Sequence, residues 1–360
     1  MKAASIEFHD VTKRYGDVVA VSRVSLGIAA GSLVTLLGPS GCGKTTMLRL
    51  IAGLELPTSG TLSIGGRDVS HVPAAERDVS MVFQSYALFP HMSVQENVRY
   101  GLVVAGVPRR QANERARAAM QQVGLDGYDG RLPSELSGGQ QQRVAVARAL
   151  VLEPLVLLFD EPLSNLDARL RRQMREEIRE LQQRVALTVV YVTHDQAEAM
   201  AVSDRIIVMN RATIAQEGAP RELYEEPRDP FVASFMGDAN RVRGVLANRG
   251  ASHGDVTVGA VTLSLPHRGL PDGDVELSIR PESIALRPAG SAPLAATIRK
   301  AAYLGGIIEY TLDTSIGALF AVSMAVEHPY TVGDAVSIEL ARHGVVLIPP
   351  GPSKEPDARN

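Results

Sequence analysis

The chain reads as an α/β domain followed by a smaller all-β domain, and three observations carry that reading. Up to about Met209, short apolar runs such as "LVLLFDE" and "TVVYVTH" alternate with helical stretches, as in the buried strands of a parallel sheet covered on both faces. From about Asn240 the texture changes to short alternating segments, "DVTVG", "VTLSL", "VELSI", "IEYTLD", "LFAV", "VSIEL" and "VVLIPP", punctuated by Gly and Pro as in a small β-barrel or sandwich. Within the first texture, "SLVTLLGPSGCGKTTMLRLIAGL" joins a buried strand ending at Leu37 to an amphipathic helix beginning near Lys44, through a glycine-rich turn.

The bulk composition fits two ordinary domains. The chain has 360 residues, 45% of them hydrophobic, enough to bury two cores. With 37 basic against 40 acidic residues the formal net charge is only −3, so no global field argues for nucleic acid as a partner. The start, "MKAASIEFHD", lacks an apolar signal core, and runs such as Leu155 to Phe159 fall well short of a membrane span, so the chain is expected to be soluble. The one cysteine, Cys42, excludes an intrachain disulfide and a cysteine metal cluster, as in a reducing cytosol. A helix and proline-interrupted strap at residues 222–237, "ELYEEPRDPFVASFMG", would connect a first domain at 1–237 to a β domain at 238–350, with "GPSKEPDARN" at 351–360 as a disordered tail.

The chemistry begins at the glycine-rich turn. Gly38 to Thr45 matches G-x-x-x-x-G-K-[ST] in full and sits between strand and helix, where a phosphate-binding loop must lie. Such a loop lets backbone N–H groups converge on phosphates at a helix N-terminus, so Gly38, Pro39, Ser40, Gly41, Cys42, Gly43, Lys44, Thr45 and Thr46 are the expected ATP-binding stretch. Lys44 would reach the terminal phosphates, and the Thr45 hydroxyl would ligate Mg²⁺. "LVLLFDE" ends in paired carboxylates at a strand end: Asp160 would hold Mg²⁺ through water, and Glu161 would orient and deprotonate the attacking water. A thiol at Cys42, beside Lys44 and a helix N-terminus, is expected to react with maleimide in an empty pocket and to be protected by Mg-ATP.

A second glycine turn, "LSGGQQQRVAVARAL" at 136–150, has no lysine and cannot belong to the same simple pocket. Standing just ahead of "LLFDEPLSNLD", it resembles the nucleotide-binding subunit of an ABC transporter. The resemblance implies an α/β P-loop fold of the ABC type, with a helical subdomain at about 85–150 and two copies meeting head to tail. Ser137, Gly138, Gly139 and Gln140 of one copy would then close over the phosphate held by Lys44 of the other, with Ser164 to Asp167 crossing to the partner. It further implies that Tyr15 stacks on adenine, that Gln84 touches Mg²⁺ and the attacking water, and that His194 is the switch histidine beside Glu161. Arg143 and Arg148 read as structural, through ion pairs with neighbouring loops. Tyr86, Leu88, Phe89 and His91 form an apolar cluster suited to a short helix from each of two membrane permease subunits, docking near Gln84 to His91.

The β half, with "ELSIRPESIALRP", resembles the OB-like accessory (TOBE-type) domains of importer ATPases. That resemblance implies a peripheral subunit on the cytoplasmic face of the bacterial inner membrane, served indirectly by a periplasmic solute-binding protein. "FMGDANRVRG" and "YLGGIIEYTLDTSIG" place it with the ferric-iron, polyamine and phosphonate group, ferric iron first and sugar import last. Soluble ABC ATPases of DNA repair or translation are a different class. They carry two ATPase units or long coiled coils, and this chain has one unit, no long heptad run and no basic stripe.

Overall fold

The computed structural model describes residues 2–341 and 343–349, so the expected tail at 351–360 lies outside the described residues. The chain divides into two compact units, Met1–Pro220 and Arg221–Asn360.

In chain order the first unit holds β1 (Ile6–Tyr15), β2 (Val18–Ile28), β3 (Leu33–Leu37), α1 (Lys44–Ala52), β4 (Ser59–Ile64), β5 (Arg67–Asp68), β6 (Val79–Val82), α2 (Val94–Val104), α3 (Arg109–Gln122), α4 (Gly138–Leu150), β7 (Val156–Asp160), α5 (Ala168–Val185), β8 (Thr188–Thr193), α6 (Gln196–Val202), β9 (Arg205–Asn210) and β10 (Thr213–Gly218). The six-stranded sheet runs β10-β9-β3-β8-β7-β6 and is parallel except for the β9–β10 hairpin. Its central strands β3, β7 and β8 are buried along almost their whole length because both faces are covered. Val156 and Leu158 of β7, with Val190 and Val192 of β8, join a core shared with α1 and the antiparallel sheet β2-β1-β4-β5. Leu157, Phe159, Val189 and Tyr191 point the other way, onto α4 and α5.

Three helices, α2 to α4, form a third core around Val98, Ala116, Met120 and Val144, which is the inserted helical layer. Its first helix is fixed by a capping box, with the Ser93 hydroxyl accepting from the Glu96 N–H while the Glu96 carboxylate accepts from the Ser93 N–H. Asn97, wholly buried, then donates to the carbonyls of Phe89, Met92 and Ser93 and accepts from the Phe89 N–H, which pins the segment leading into that helix.

The second unit opens with α7 (Pro220–Glu225) and α8 (Pro230–Phe235), followed by β11 (Asn240–Ala247), β12 (His253–Val258), β13 (Val261–Pro266), β14 (Gly273–Ile279), β15 (Ile284–Pro288), β16 (Leu294–Tyr303), β17 (Ile308–Thr314), β18 (Gly317–Ser323), β19 (Ala335–Leu340) and β20 (Val345–Ile348). Two antiparallel five-stranded sheets, β13-β12-β11-β14-β20 and β15-β19-β16-β17-β18, enclose one apolar core. The seven alternating segments of the sequence fall on strands here, the last of them up to Ile348. The division between units falls at Pro220, ahead of the 237/238 boundary expected from the connector. Arg280 is the physical reason: its buried guanidinium donates to the carbonyls of Tyr224, Ala233, Gly237 and Asp238 and lies 4.0 Å from the Tyr224 ring centroid, which binds the strap to the β domain.

Candidate functional site

The phosphate loop leaves the C-terminal end of β3 and enters α1. Gly43, the N-cap, sits at φ 110, and a Cβ there would collide with the Ala20 carbonyl oxygen, so only glycine serves. Lys44 is 6% exposed, and its ammonium donates to the carbonyls of Gly38 (2.6 Å) and Pro39 (2.9 Å). The loop therefore holds the cation in place before any phosphate binds, and a phosphate competes with two neutral carbonyls for it.

Cys42 corrects an expectation. Its side chain is only 4% exposed and packs in the core between the sheet and α1, with its sulfur close enough to Gly38 that a Cβ there would approach to 2.6 Å. The residue belongs to the loop through its backbone, whose N–H donates to the Pro39 carbonyl, while the thiol faces away from solvent. Maleimide should accordingly label native protein orders of magnitude more slowly than protein unfolded in denaturant, with or without Mg-ATP, and Cys42→Ala should keep its ATPase activity. Fast labelling that Mg-ATP blocks would put the thiol back in the pocket.

The acidic pair is assembled by the parallel register of β6, β7 and β8, which aligns Val82 with Phe159 and Asp160 with Val192. Gln84, Glu161 and His194 thus leave neighbouring strands at one sheet edge, the C-terminal edge where α/β folds bind ligands. His194 Nδ1 lies 3.2 Å from Glu161 Oε2. Glu161 adopts φ 45, a left-handed conformation that costs about 1–2 kcal/mol for a residue with a side chain. Three bonds hold it there: its N–H donates to the Val192 carbonyl, and its carbonyl accepts from both the Ser164 hydroxyl and the Ser164 N–H. Gln84 Nε2 donates to that same hydroxyl at 3.1 Å, and Asn165 Nδ2 donates to the Gln84 carbonyl at 3.0 Å. Ser164 and Asn165 are therefore positioning residues of the cluster, a role the sequence did not reveal because "SNLD" reads there only as a partner-crossing loop. Burial, and then the Glu161 charge, hold the Asp160 carboxyl above its ordinary pKa, against the lowering fields of Arg49 and Lys44.

Tyr15 ends β1, 43% exposed as a residue, with the Lys13 ammonium 4.9 Å from its ring centroid. Burial first, then the Glu55 carboxylate, raise its phenol pKa, and the Lys13 ammonium and, less, the Thr46 hydroxyl of α1 counteract them. The inserted helical layer places the second glycine turn elsewhere, at the start of α4. Ser137 caps α4 in a reciprocal pair with Gln140, and Gln140 Nε2 donates to the Tyr128 hydroxyl. Gly138 and Gly139 let this turn approach α5 and the loop before it: a Cβ on Gly138 would come to 3.0 Å from Leu166, and one on Gly139 to 3.0 Å from Leu170. No hydrogen bond among the described residues joins Ser137–Gln140 to the phosphate loop of the same chain.

Arg143 forms a two-pronged pair with Glu177 of α5 (2.8 and 2.5 Å), and Arg148 donates to the carbonyls of Tyr86 and Ala87, so both are structural. The apolar cluster after Gln84 needs a correction. Tyr86 is 5% exposed and Leu88 packs against the core, so neither offers a docking face. Phe89 does: its ring lies 4.6 Å from that of Tyr100, and with Phe83, Leu54 and Leu152, all part-exposed, it lines a groove of about 520 Å³.

A phosphate loop, a carboxylate pair at the end of a neighbouring parallel strand and an inserted helical layer with a capped glycine turn define a P-loop ATPase of the cassette type. Residues 21–164 match the ABC transporter family and residues 277–348 match the TOBE domain. A protein of Brucella abortus (strain 2308), the Fe(3+) ions import ATP-binding protein FbpC, is 54% identical over 348 residues, covering 97% of this chain and 99% of that protein. The Fe(3+) ions import ATP-binding protein FbpC 1 of Rhizobium meliloti (strain 1021) is 55% identical over 344 residues, 96% of this chain and 98% of that protein. A solved dimer of the ATP-binding cassette MJ0796 in a post-hydrolysis state, bound to ADP and Pi, is 32% identical with a TM-score of 0.53 over 60% of this chain and 99% of that one. The chain belongs to the ABC transporter family, as an ATP-binding and ATP-hydrolysing subunit with a C-terminal TOBE domain. It is thus part of a transporter complex, and among the described residues no helix is long and apolar enough to cross a membrane.

Proposed function

We propose that this chain energises a bacterial ABC importer of ferric iron, as a homodimer on the cytoplasmic face of the inner membrane. The observation that carries the reading is similarity extending through both units to Fe(3+) import subunits, at 54–55% identity over 96–97% of the chain. Polyamine and aminoethylphosphonate import are the alternatives, with sugar import behind them. The solute itself would be captured by a periplasmic binding protein and would not touch this subunit.

ATP is bound by the phosphate loop, with Lys44 on the terminal phosphates and Tyr15 against the base. Ser137 to Gln140 of the second copy would present the N-terminus of α4 to the same phosphate, which explains a signature turn that lacks a lysine and stands apart from the loop of its own chain. Glu161 takes the proton from the attacking water, held in its strained conformation by Ser164 and Val192. His194 Nδ1 fixes the orientation of that carboxylate, and Gln84, tethered by Ser164 and Asn165, lies beside it. Thr45, Asp160 and Gln84 would hold Mg²⁺, offering the hard oxygen donors that this cation takes, and burial and the neighbouring Glu161 charge, which raise the Asp160 pKa, mark a carboxylate that a cation would stabilise. When bound, Mg²⁺ neutralises charge developing on the transferred phosphoryl group.

The groove lined by Phe83, Phe89, Tyr100, Leu54 and Leu152 would receive a short amphipathic helix from one permease subunit, and the same groove of the second copy a helix from the other. Because the groove adjoins the segment running from Gln84 to α2, pinned by Asn97, a shift at the nucleotide has a mechanical route to the membrane partner.

Uptake of radioactive ferric iron tests the solute assignment. In cells whose only copy of this gene carries Glu161→Gln, ⁵⁵Fe³⁺ uptake should fall to background, while uptake of labelled spermidine and aminoethylphosphonate should persist. Loss of spermidine or phosphonate uptake with intact iron uptake would reassign the solute and leave the ATPase reading standing.

A further inference from the structure

His194, whose imidazole stands 3.2 Å from Glu161, is held little by packing, since 62% of its side chain is exposed. Its place is set by the residues on either side, and both are tied to one buried carboxylate. Glu198, in the first turn of α6, is 3% exposed. Its Oε2 accepts from the Thr193 hydroxyl at 2.8 Å and from the Tyr191 hydroxyl at 3.2 Å, while its backbone N–H donates to the Asp195 carboxylate at 2.9 Å. The Thr193 hydroxyl in turn accepts from the Asp195 N–H at 3.0 Å. Thr193 and Asp195 are thus joined to each other and to Glu198, with His194 between them.

The other oxygen of the Glu198 carboxylate meets α5. Arg171 Nε lies 3.6 Å from Glu198 Oε1, and Arg171 Nη1 lies 3.6 Å from Asp195 Oδ2. The same guanidinium donates through Nη2 to the Leu166 carbonyl at 3.1 Å. Leu166 follows Ser164 and Asn165, the two residues that hold the Glu161 carbonyl and Gln84. One arginine therefore joins the loop that carries His194 to the loop that steadies the rest of the cluster. Helix capping does not account for the arrangement, because the Asp195 side chain already caps α6, and a carboxylate is costly to bury unless it is paired and hydrogen-bonded.

We propose that Glu198 and Arg171 are positioning residues for hydrolysis, which aim His194 at Glu161 and bind the loops 164–167 and 193–195 into one piece. The inference rests on His194 serving turnover, as assigned above, and adds the residues through which it is placed. Neither residue belongs to the phosphate loop, so ATP affinity should not depend on them.

Glu198→Gln keeps the size of the side chain and an oxygen for Thr193, and removes the charge that faces Arg171. In the full-length protein it is expected to lower kcat for ATP about tenfold, because small displacements of a positioned group are costly, with KM and ATP affinity within about twofold of wild type. The stoichiometry of ATP binding counts folded molecules, so lost folding is not read as lost rate. The deciding comparison is made in the His194→Ala background, where Glu198→Gln should slow turnover no further, since the group it places is gone. Arg171→Gln should behave likewise, and Arg171→Gln combined with Glu198→Gln should be no slower than the slower of the two alone. Thr193→Val, which removes the hydroxyl shared by Glu198 and Asp195, makes the same comparison should Glu198→Gln not fold. Equal slowing by Glu198→Gln in the wild-type and His194→Ala backgrounds, or a wild-type kcat in Glu198→Gln, would overturn the proposal and leave His194 in its role. A His194→Ala protein with wild-type turnover would instead overturn the assignment of His194, and the proposal with it.

Discussion

Glu161→Gln is expected to lower ATP turnover by about 10²–10⁴-fold while leaving ATP binding intact. The substitution keeps the size of the side chain and removes the base. Glu161 sits at the end of β7 with its carboxylate 3.2 Å from His194 Nδ1, and Gln84 and Ser164 complete the cluster. No hydrogen bond or ion pair among the described residues joins it to the phosphate loop, so nucleotide affinity should hold, and a protein that binds but cannot hydrolyse should accumulate as an ATP-bound dimer. Phosphate release and size-exclusion chromatography in ATP measure the two halves. Turnover near the wild-type rate would remove Glu161 from the role of base.

Lys44→Ala should fail one step earlier. The ammonium is 6% exposed and held by the Gly38 and Pro39 carbonyls, so its loss removes a preorganised charge from the phosphates and leaves those carbonyls without their donor. A charge-assisted contact of about 1.5–3 kcal/mol corresponds to roughly 10–100-fold weaker ATP binding. Calorimetry reads this directly, and the thermal stabilisation that ATP confers on wild type should shrink in step. Lys44→Ala with unchanged ATP affinity would show that the loop binds nucleotide through its backbone alone.

What the sequence revealed and what it hid follow from the range of the interactions. The phosphate loop was legible because strand, glycine turn and helix are contiguous, and each enforces the next: Leu37 ends β3, and Gly43 at φ 110 starts α1. The β domain was legible because period-two alternation survives wherever one face of a strand is buried. The tether of Gln84 to Ser164 was not, since it spans 80 positions and exists only through the parallel register of β6 and β7. Side-chain direction was hidden for the same reason. Cys42 and Tyr86 carry residue types that suit an exposed site, yet packing turns both inward, Cys42 toward the core under Gly38 and Tyr86 through a left-handed backbone at φ 61. The strap at residues 222–237 reads as a linker until Arg280, more than forty positions downstream, is seen to bind its carbonyls.

ATP hydrolysis by two tethered heterodimers tests the shared site most directly. In the first, one chain carries Lys44→Ala and the other Ser137→Arg; in the second, both substitutions sit in one chain and the other is wild type. If Ser137 serves the partner's Lys44, the first dimer holds one intact site and one doubly damaged site, whereas each site of the second holds one defect. The first should therefore hydrolyse ATP measurably faster than the second. The opposite ranking, with the same-chain double variant more active, would mean that loop and signature turn act within one chain and would contradict the head-to-tail site.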